Sequence, residues 1–420
     1  MLKKIKFSLL AGCIVLIINA ASALANLSQS AWQSSVISPD MIKYFDMTIS
    51  TQNTPYIAYS IYGMFAKDLK NANEIHVGYF KDGKFSNIFS NAPYSRGYNV
   101  KIAVSPTNGT PYLFADFLNA KNQYEGRVLK YDERANQWEI LGGNGKQALF
   151  NMGQQGSAGN INAIAVNSEG VVYIAYEKSD HVPNGEIPPL MIKYFDVKTH
   201  LWKTISHKGL FKKEGQIAPS ISKGIGSLEL KFDQNDTLYI ALNETNSTGW
   251  ERLIVGHYLA DENCWALDVN GGNTLVLSGM ASFGQIDFSA DNSLYMLFTD
   301  TDNGSDYLNV YKKVGPGDTA SDWQYLNSNQ QIQNPYFPDM VIDKQNNIIY
   351  FVARGENTHN NEYTSPTIIG FDAQDGTEIY KKTFKAFNEV NNKIAVDGNG
   401  NLYLLDYDNR GLILRYQTAH

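Results

Sequence analysis

The 420-residue chain has only two cysteines, Cys13 and Cys264. Cys13 falls in an N-terminal stretch that reads as a removable leader, which leaves the mature chain one thiol. One thiol makes no intramolecular disulfide, and a cysteine-built metal site would need other ligands. The fold must rest on its core, and a chain of this length buries enough apolar surface for that. Basic blocks are also missing. The formal charge is −7, or −10 once Lys3, Lys4 and Lys6 of the leader are set aside, which argues against nucleic acid or an anionic membrane as a partner. Beyond the leader no apolar run is long enough for a transmembrane helix. There is no Gly-x-Ser-x-Gly elbow to mark a nucleophilic serine. There is no His-x-His or His-Glu-x-x-His to mark zinc. His181 and His359, in expected loops, are the best placed histidines, and a single loop histidine is more often solvated than catalytic.

The leader itself has three parts. Lys3, Lys4 and Lys6 give a positive start, residues 7–18 are apolar, and Ala23-Leu24-Ala25 is a small-residue cleavage site. Residues 1–25 are therefore expected to be a secretory signal peptide, and residues 26–420 a single exported domain in the periplasm or outside the cell. A rival reading takes Leu10-Ala11-Gly12-Cys13 as a lipobox with the lipid on Cys13. It leaves an apolar core of about six residues against the usual ~7–15, so cleavage after Ala25 is favoured.

The chain is rich in aromatics and turn formers: 26 Tyr, 20 Phe and 34 Gly. Tyr and Phe favour strands, and Gly with Asn and Asp favours turns. They are arranged in a repeat. An apolar strand, a turn rich in Asp, Asn and Gly, and a strand built around Tyr recur with Tyr56, Tyr112, Tyr173, Tyr239, Tyr295, Tyr350 and Tyr403 in one place. The steps are 56, 61, 66, 56, 55 and 53 residues. Each unit continues with a third strand ending in an aromatic and a fourth opening on another: Tyr131 leads to Trp138, Tyr194 to Trp202, Tyr258 to Trp265, Tyr311 to Trp323. After Tyr416 the last unit lacks its fourth strand, while the segment from Ala31 to Ile37 has the look of an orphan one, with Trp32 in the Trp place. The expected fold is all-β: a seven-bladed β-propeller of four-stranded antiparallel blades, its ring closed by the N-terminal strand joining the C-terminal blade.

The Tyr131-Asp132 to Trp138 spacing resembles kelch-type propellers. The Asp-x-x-Gly-Asn-x-Tyr phrase ending in Tyr403 resembles bacterial exported propellers of the NHL or sialidase-like kind. These resemblances cover roughly residues 30–418 and imply a scaffold, not a chemistry.

Function is expected where the repeats disagree, in the loops from second to third strands. Five copies carry an acid near this point: Asp116, Glu177, Glu244, Asp300 and Asp406. With Arg354 and Arg410 they form the candidate ligand-binding set, a rim of carboxylates and arginines suited to a polyhydroxyl ligand or a cation. The turn aspartates Asp233, Asp343 and Asp397 are expected to be structural. The stretch from Asp300 to Asp306 resembles the start of a Ca²⁺ loop but lacks its closing Glu, so no cofactor is expected and Ca²⁺ is the nearest alternative. The favoured function is a monomeric, non-catalytic recognition module that binds a glycan or a protein. The alternative is a carbohydrate-active hydrolase or lyase, sialidase-like or polysaccharide lyase-like, with carboxylates drawn from different blades. In that reading Arg96, Arg354 and Arg410 clamp an anionic sugar.

Overall fold

The computed structural model describes residues 31–418 except 62–72, 122, 143–148, 154–161, 178–189, 206–223, 246–250, 271–280, 303–304, 318, 327–334, 358–361, 364 and 386–391. The leader, Cys13, His181 and His359 lie outside the described residues.

Seven antiparallel sheets succeed one another along the chain. Blade 1 runs from Ile42–Ile49 to Lys84–Asn87, blade 2 from Gly97–Val104 to Gln137–Ile140, and blade 3 from Asn162–Val166 to Leu201–Ile205. Blade 4 runs from Gly224–Phe232 to Cys264–Asn270, blade 5 from Ala281–Phe288 to Trp323–Tyr325, and blade 6 from Pro335–Asp343 to Glu378–Thr383. Blade 7 begins at Lys393–Val396, and its outermost strand is Gln33–Ser38, paired antiparallel with Gly411–Gln417 so that Gln33 stands opposite Tyr416. Phe150–Gly153 and Glu362–Tyr363 add a short fifth strand to blades 2 and 6.

Burial explains the reading of each strand. A second strand lies between its own neighbours and two adjacent blades, so both faces are covered and Pro111–Leu118 is buried along almost its whole length. Such strands are near-continuous apolar runs. The outer strand Gln137–Ile140 meets water on one face and alternates. Seven hydrophobic clusters form, one between each pair of consecutive blades, and one of them joins Ile42, Phe45 and Ile57 of blade 1 to Leu405, Leu412 and Leu414 of blade 7. The core is thus seven layers wrapped around an axis.

Two repeat features acquire causes. The residue three before each repeat Tyr is Asn53, Gly109, Gly170, Asp236, Asn292, Asn347 or Gly400, and every one has positive φ. Only Gly, Asn and Asp adopt that left-handed conformation at low cost. The aspartates beside it fix the turn: Asp233 Oδ1 accepts the backbone N–H of Asn235 and Thr237, and Asp397 Oδ1 those of Asn399 and Asn401. The Trp place ties several blades to the one before. The indole N–H donates to a carbonyl of the preceding blade from Trp138 (Ile88, 2.9 Å), Trp202 (Leu141, 3.2 Å) and Trp323 (Asp268, 3.3 Å). Trp32 likewise donates to the Tyr380 hydroxyl of blade 6, at 2.8 Å. The cross-strand partner of Trp202 is Phe195 and that of Trp323 is Lys313.

Candidate active site

The first strand of each blade lines the axis, and its register against the second strand aligns the seven copies. The residue opposite the repeat Tyr is Thr48, Ala103, Ala165, Lys231, Asp287, Val341 or Ala395. Two residues earlier, on the same face of the strand, stand Asp46, Lys101, Ala163, Glu229, Gln285, Asp339 and Lys393. Six of these seven side chains are polar, in strands that are otherwise largely apolar. They belong to different blades and meet at the axis, where the Lys393 ammonium lies 2.9 Å from Asp339 of blade 6 and 3.9 Å from Asp46 of blade 1.

Most of this ring joins neighbouring blades. Asp46 accepts the backbone N–H of Ile102 (3.0 Å), Glu229 that of Ile286 (2.8 Å), Asp287 that of Ile342 (2.9 Å) and Asp339 that of Ile394 (2.7 Å). Gln285 accepts from Met340 N–H and donates to Asp339. Each carboxylate thereby satisfies a buried amide of the next blade with a charge-assisted bond.

The second oxygen of each carboxylate is turned to a lysine. Lys231 lies 3.6 Å from Glu229 and 3.3 Å from Asp287. Two carboxylate pairs result, Glu229 with Asp287 and Asp46 with Asp339, each sharing one ammonium, and within a pair the lysine-facing oxygens stand under about 7 Å apart. Water reaches both clusters, because the side chains of Lys231, Glu229 and Lys393 keep 31%, 24% and 22% of their accessibility. Burial pushes the Glu229 carboxyl up despite the nearby Lys231. Burial works to lower Lys231, but Asp287 and Glu229 outweigh it and raise its pKa. Lys393 is likewise raised, by Asp339 and Asp46 against burial.

The residues expected to form a rim are placed differently. Asp116 and Arg354 stand four residues past the repeat Tyr, Asp406 three, and Asp300 five. Successive side chains of a strand point to opposite faces, so these residues face different neighbouring blades. Asp116, Arg354 and Asp406 are at most 1% exposed and sit inside second strands. Asp116 turns toward blade 3, and Asn99 of its own blade's first strand, in left-handed conformation at a bulge, donates to it at 2.6 Å. Among the described residues no cation stands against it, and burial pushes its carboxyl up to about 7 although the Asn99 hydrogen bond opposes this. Arg354 and Asp406 do meet: Arg354 of blade 6 binds Asp406 of blade 7 and donates to Asn392 at 3.2 Å. Arg415 reaches Asp406 at 3.4 Å and Asp408 at 3.1 Å. Arg410 is held by Asp408 at 2.9 Å. Of the expected arginine clamp, then, Arg354 and Arg410 are engaged by aspartates. Glu177 ends its second strand and Glu244 is the last residue but one of its own, and their side chains lie outside the described residues. Asp300 opposes Tyr307 in a hairpin whose arms bring Asp302 opposite Ser305. Tyr98 packs between Tyr44 and Tyr124.

No family model matches the chain, and no curated protein matches it in sequence. Solved structures do. The α-L-arabinofuranosidase of Fusarium graminearum, in complex with an iminosugar inhibitor, is 10% identical over 93% of this chain and 98% of its own, with a TM-score of 0.50. The α-L-arabinanase of Penicillium chrysogenum, complexed with arabinobiose, is 11% identical over the same shares, also at 0.50. A Dyadobacter fermentans protein of unknown function is 10% identical over 92% and 98%, again at 0.50. Neither of the two enzymes among them is a kelch protein. The likeness is one of fold, and it corrects one expectation. The preference for a non-catalytic recognition module rested on the lack of a local catalytic motif. The two enzymes named are glycoside hydrolases of like fold, and in this chain polar groups from separate blades meet at the axis, so no contiguous motif is called for. That preference therefore gives way to the hydrolase alternative.

Proposed function

We propose that the chain is a glycoside hydrolase whose chemistry sits at the axis. The observation that carries this reading is the pair Glu229 and Asp287, carboxyls of adjacent blades under about 7 Å apart, with Glu229 reached by water and Asp287 buried beside it. Glycoside hydrolysis needs one carboxyl to protonate the leaving oxygen and a second to act as nucleophile or to activate water, with separations of roughly 5–9.5 Å. Glu229 is the acid: burial favours its protonated form, which is what a donor near neutral pH requires. Asp287 is the carboxylate on the other side of the bond, oriented by Ile342 N–H and Lys231. Asp46 and Asp339 repeat the arrangement around Lys393 and extend the polar surface along which a polymer can lie. The two arabinan-cleaving enzymes of like fold support the reaction class and make arabino-oligosaccharides the first substrates to assay. The leader-like residues 1–25 support action outside the cytoplasm, which N-terminal sequencing of the mature protein checks.

The test is a panel of aryl glycosides and oligosaccharides assayed with the purified protein and with Glu229→Gln. Gln keeps an oxygen for Ile286 N–H but has no proton to give, so kcat is expected to fall at least about 100-fold. In the parent protein activity falls as pH rises through the elevated Glu229 pKa, because the acid form is lost; the variant loses this alkaline limb. Turnover undiminished by Glu229→Gln removes the assignment.

A further inference from the structure

At two junctions between blades, the residue four past the repeat Tyr meets the start of the next blade's first strand. Between blades 4 and 5, Asn243 Oδ1 accepts the Gly284 backbone N–H at 2.6 Å. Between blades 6 and 7, the Arg354 guanidinium donates to Asn392 Oδ1 at 3.2 Å. A donor faces an acceptor in both. Between blades 2 and 3 the corresponding residues are Asp116 and Asn162. Asn162, like Gly284 and Asn392, stands three residues before the one that opposes the repeat Tyr. Here acceptor faces acceptor. Asp116 is fully buried and Asn162 is 4% exposed, and neither Asp116 Oδ1 nor Asn162 Oδ1 has a hydrogen-bond partner among the described residues.

The other atoms of both groups are held by one residue. Asn99 Nδ2 donates to Asp116 Oδ2 at 2.6 Å, and Asn162 Nδ2 donates to the Asn99 carbonyl at 2.9 Å. Turning either amide over sets oxygen against oxygen, so it moves the mismatch without removing it. The Tyr98 hydroxyl, on the strand position paired with Asp116, is a third buried oxygen with no partner among the described residues.

Buried acceptors without a donor are costly, and a buried carboxylate without a counter-charge is more so. At the junction of blades 6 and 7 the Arg354 guanidinium supplies the positive charge. We propose that a hard metal cation takes the same part between blades 2 and 3, bound by Asp116 Oδ1 and Asn162 Oδ1, and clamps the two blades together. One carboxylate with neutral oxygens, and no thiolate or imidazole, suits Ca²⁺ or Na⁺ rather than zinc or copper. In the cation-free chain the carboxyl keeps its proton instead, as burial dictates. The site shares no residue with the axial carboxylates, so its occupancy is independent of the hydrolase reading.

The test compares thermal melts in choline chloride with melts in CaCl₂, NaCl or KCl at equal ionic strength, after dialysis against a chelator. The proteins are the parent, Asp116→Asn, Asn162→Ala and Glu229→Gln. One salt is expected to raise the parent's melting temperature by roughly 2–3 °C near saturation. It also slows amide exchange in the strands Gly97–Val104 and Asn162–Val166. Both responses are lost in Asp116→Asn, weakened in Asn162→Ala and kept in Glu229→Gln. Asp116→Asn replaces the carboxyl by an amide of the same shape, so its fold is retained and it decides the matter if Asn162→Ala unfolds. The salt that acts identifies the ion. Equal melts in all four salts would mean that water fills the gap, and they overturn the cation site. A shift that survives in Asp116→Asn places the ion elsewhere and overturns it too.

Discussion

Asp116 and Arg354 occupy the same place in the repeat, four residues past the Tyr of a second strand, and both are buried against the following blade. Their surroundings differ. Arg354 meets Asp406, which Arg415 also engages, and the chain of charges continues through Asp408 to Arg410 at the surface. Asp116 meets Asn99, a neutral amide, and its carboxyl titrates near 7. One site satisfies a buried charge with opposite charges; the other keeps its proton. The comparison teaches that this repeat position is a polar junction between blades, whatever its sign, neutralised from the following blade at Arg354 and from its own first strand at Asp116.

The most severe way to break this contrast is Asp406→Ala. It strands Arg354 without a counter-charge, and removing one member of a buried pair costs about 3–5 kcal/mol. Urea unfolding is expected to show a loss of that size, part of it returned when Arg354→Met is added. A loss under about 1 kcal/mol would mean that the pair is solvated. Next comes Asp116→Asn. In the folded chain Asp116 holds its proton at pH values where the unfolded chain has lost it, so stability declines as pH rises from about 4 to about 7. The substitution removes this decline. It is expected to be nearly neutral at pH 4 and stabilising by up to about 4 kcal/mol at pH 8, as thermal melts across pH would record. A variant equally stable relative to its parent at both pH values would show that the carboxyl is not perturbed. The smallest effect belongs to Arg410→Ala. Its side chain is 48% accessible and its bridge to Asp408 is screened by water, so a change below about 1 kcal/mol that fades in salt is expected.

The scaffold was legible because each of its repeating residues performs one physical task. The Tyr marks the second strand, the Gly, Asn or Asp three before it supplies positive φ, and the Trp reaches the preceding blade. The site was not legible by the same route. Asp116, Asp300 and Asp406 all follow a Tyr closely, but they do so by four, five and three residues, and a one-residue shift turns a side chain to the other face. Nearness in sequence is not nearness in space at these positions. The axial ring did leave a signal: Asp46, Lys101, Glu229, Gln285, Asp339 and Lys393 share one register position. It surfaces only when first strands are aligned through their pairing with the repeat Tyr. Bulges at the start of several first strands, as between Tyr98 and Lys101 or Tyr336 and Asp339, hide that register from simple counting.

The pairing of Gln33 with Tyr416 also sets an order in time. The strand made near the beginning of synthesis takes its place only when residues almost 400 positions later exist. Six blades can pair their strands locally and early, but the seventh waits for both ends, and so long a loop is slow to shut. Until then the apolar flank of blade 1 and an open strand edge on blade 7 stay available to other molecules. The nascent protein is accordingly most open to holding factors, and most prone to aggregation, during the interval just before its last ten residues find the first strand.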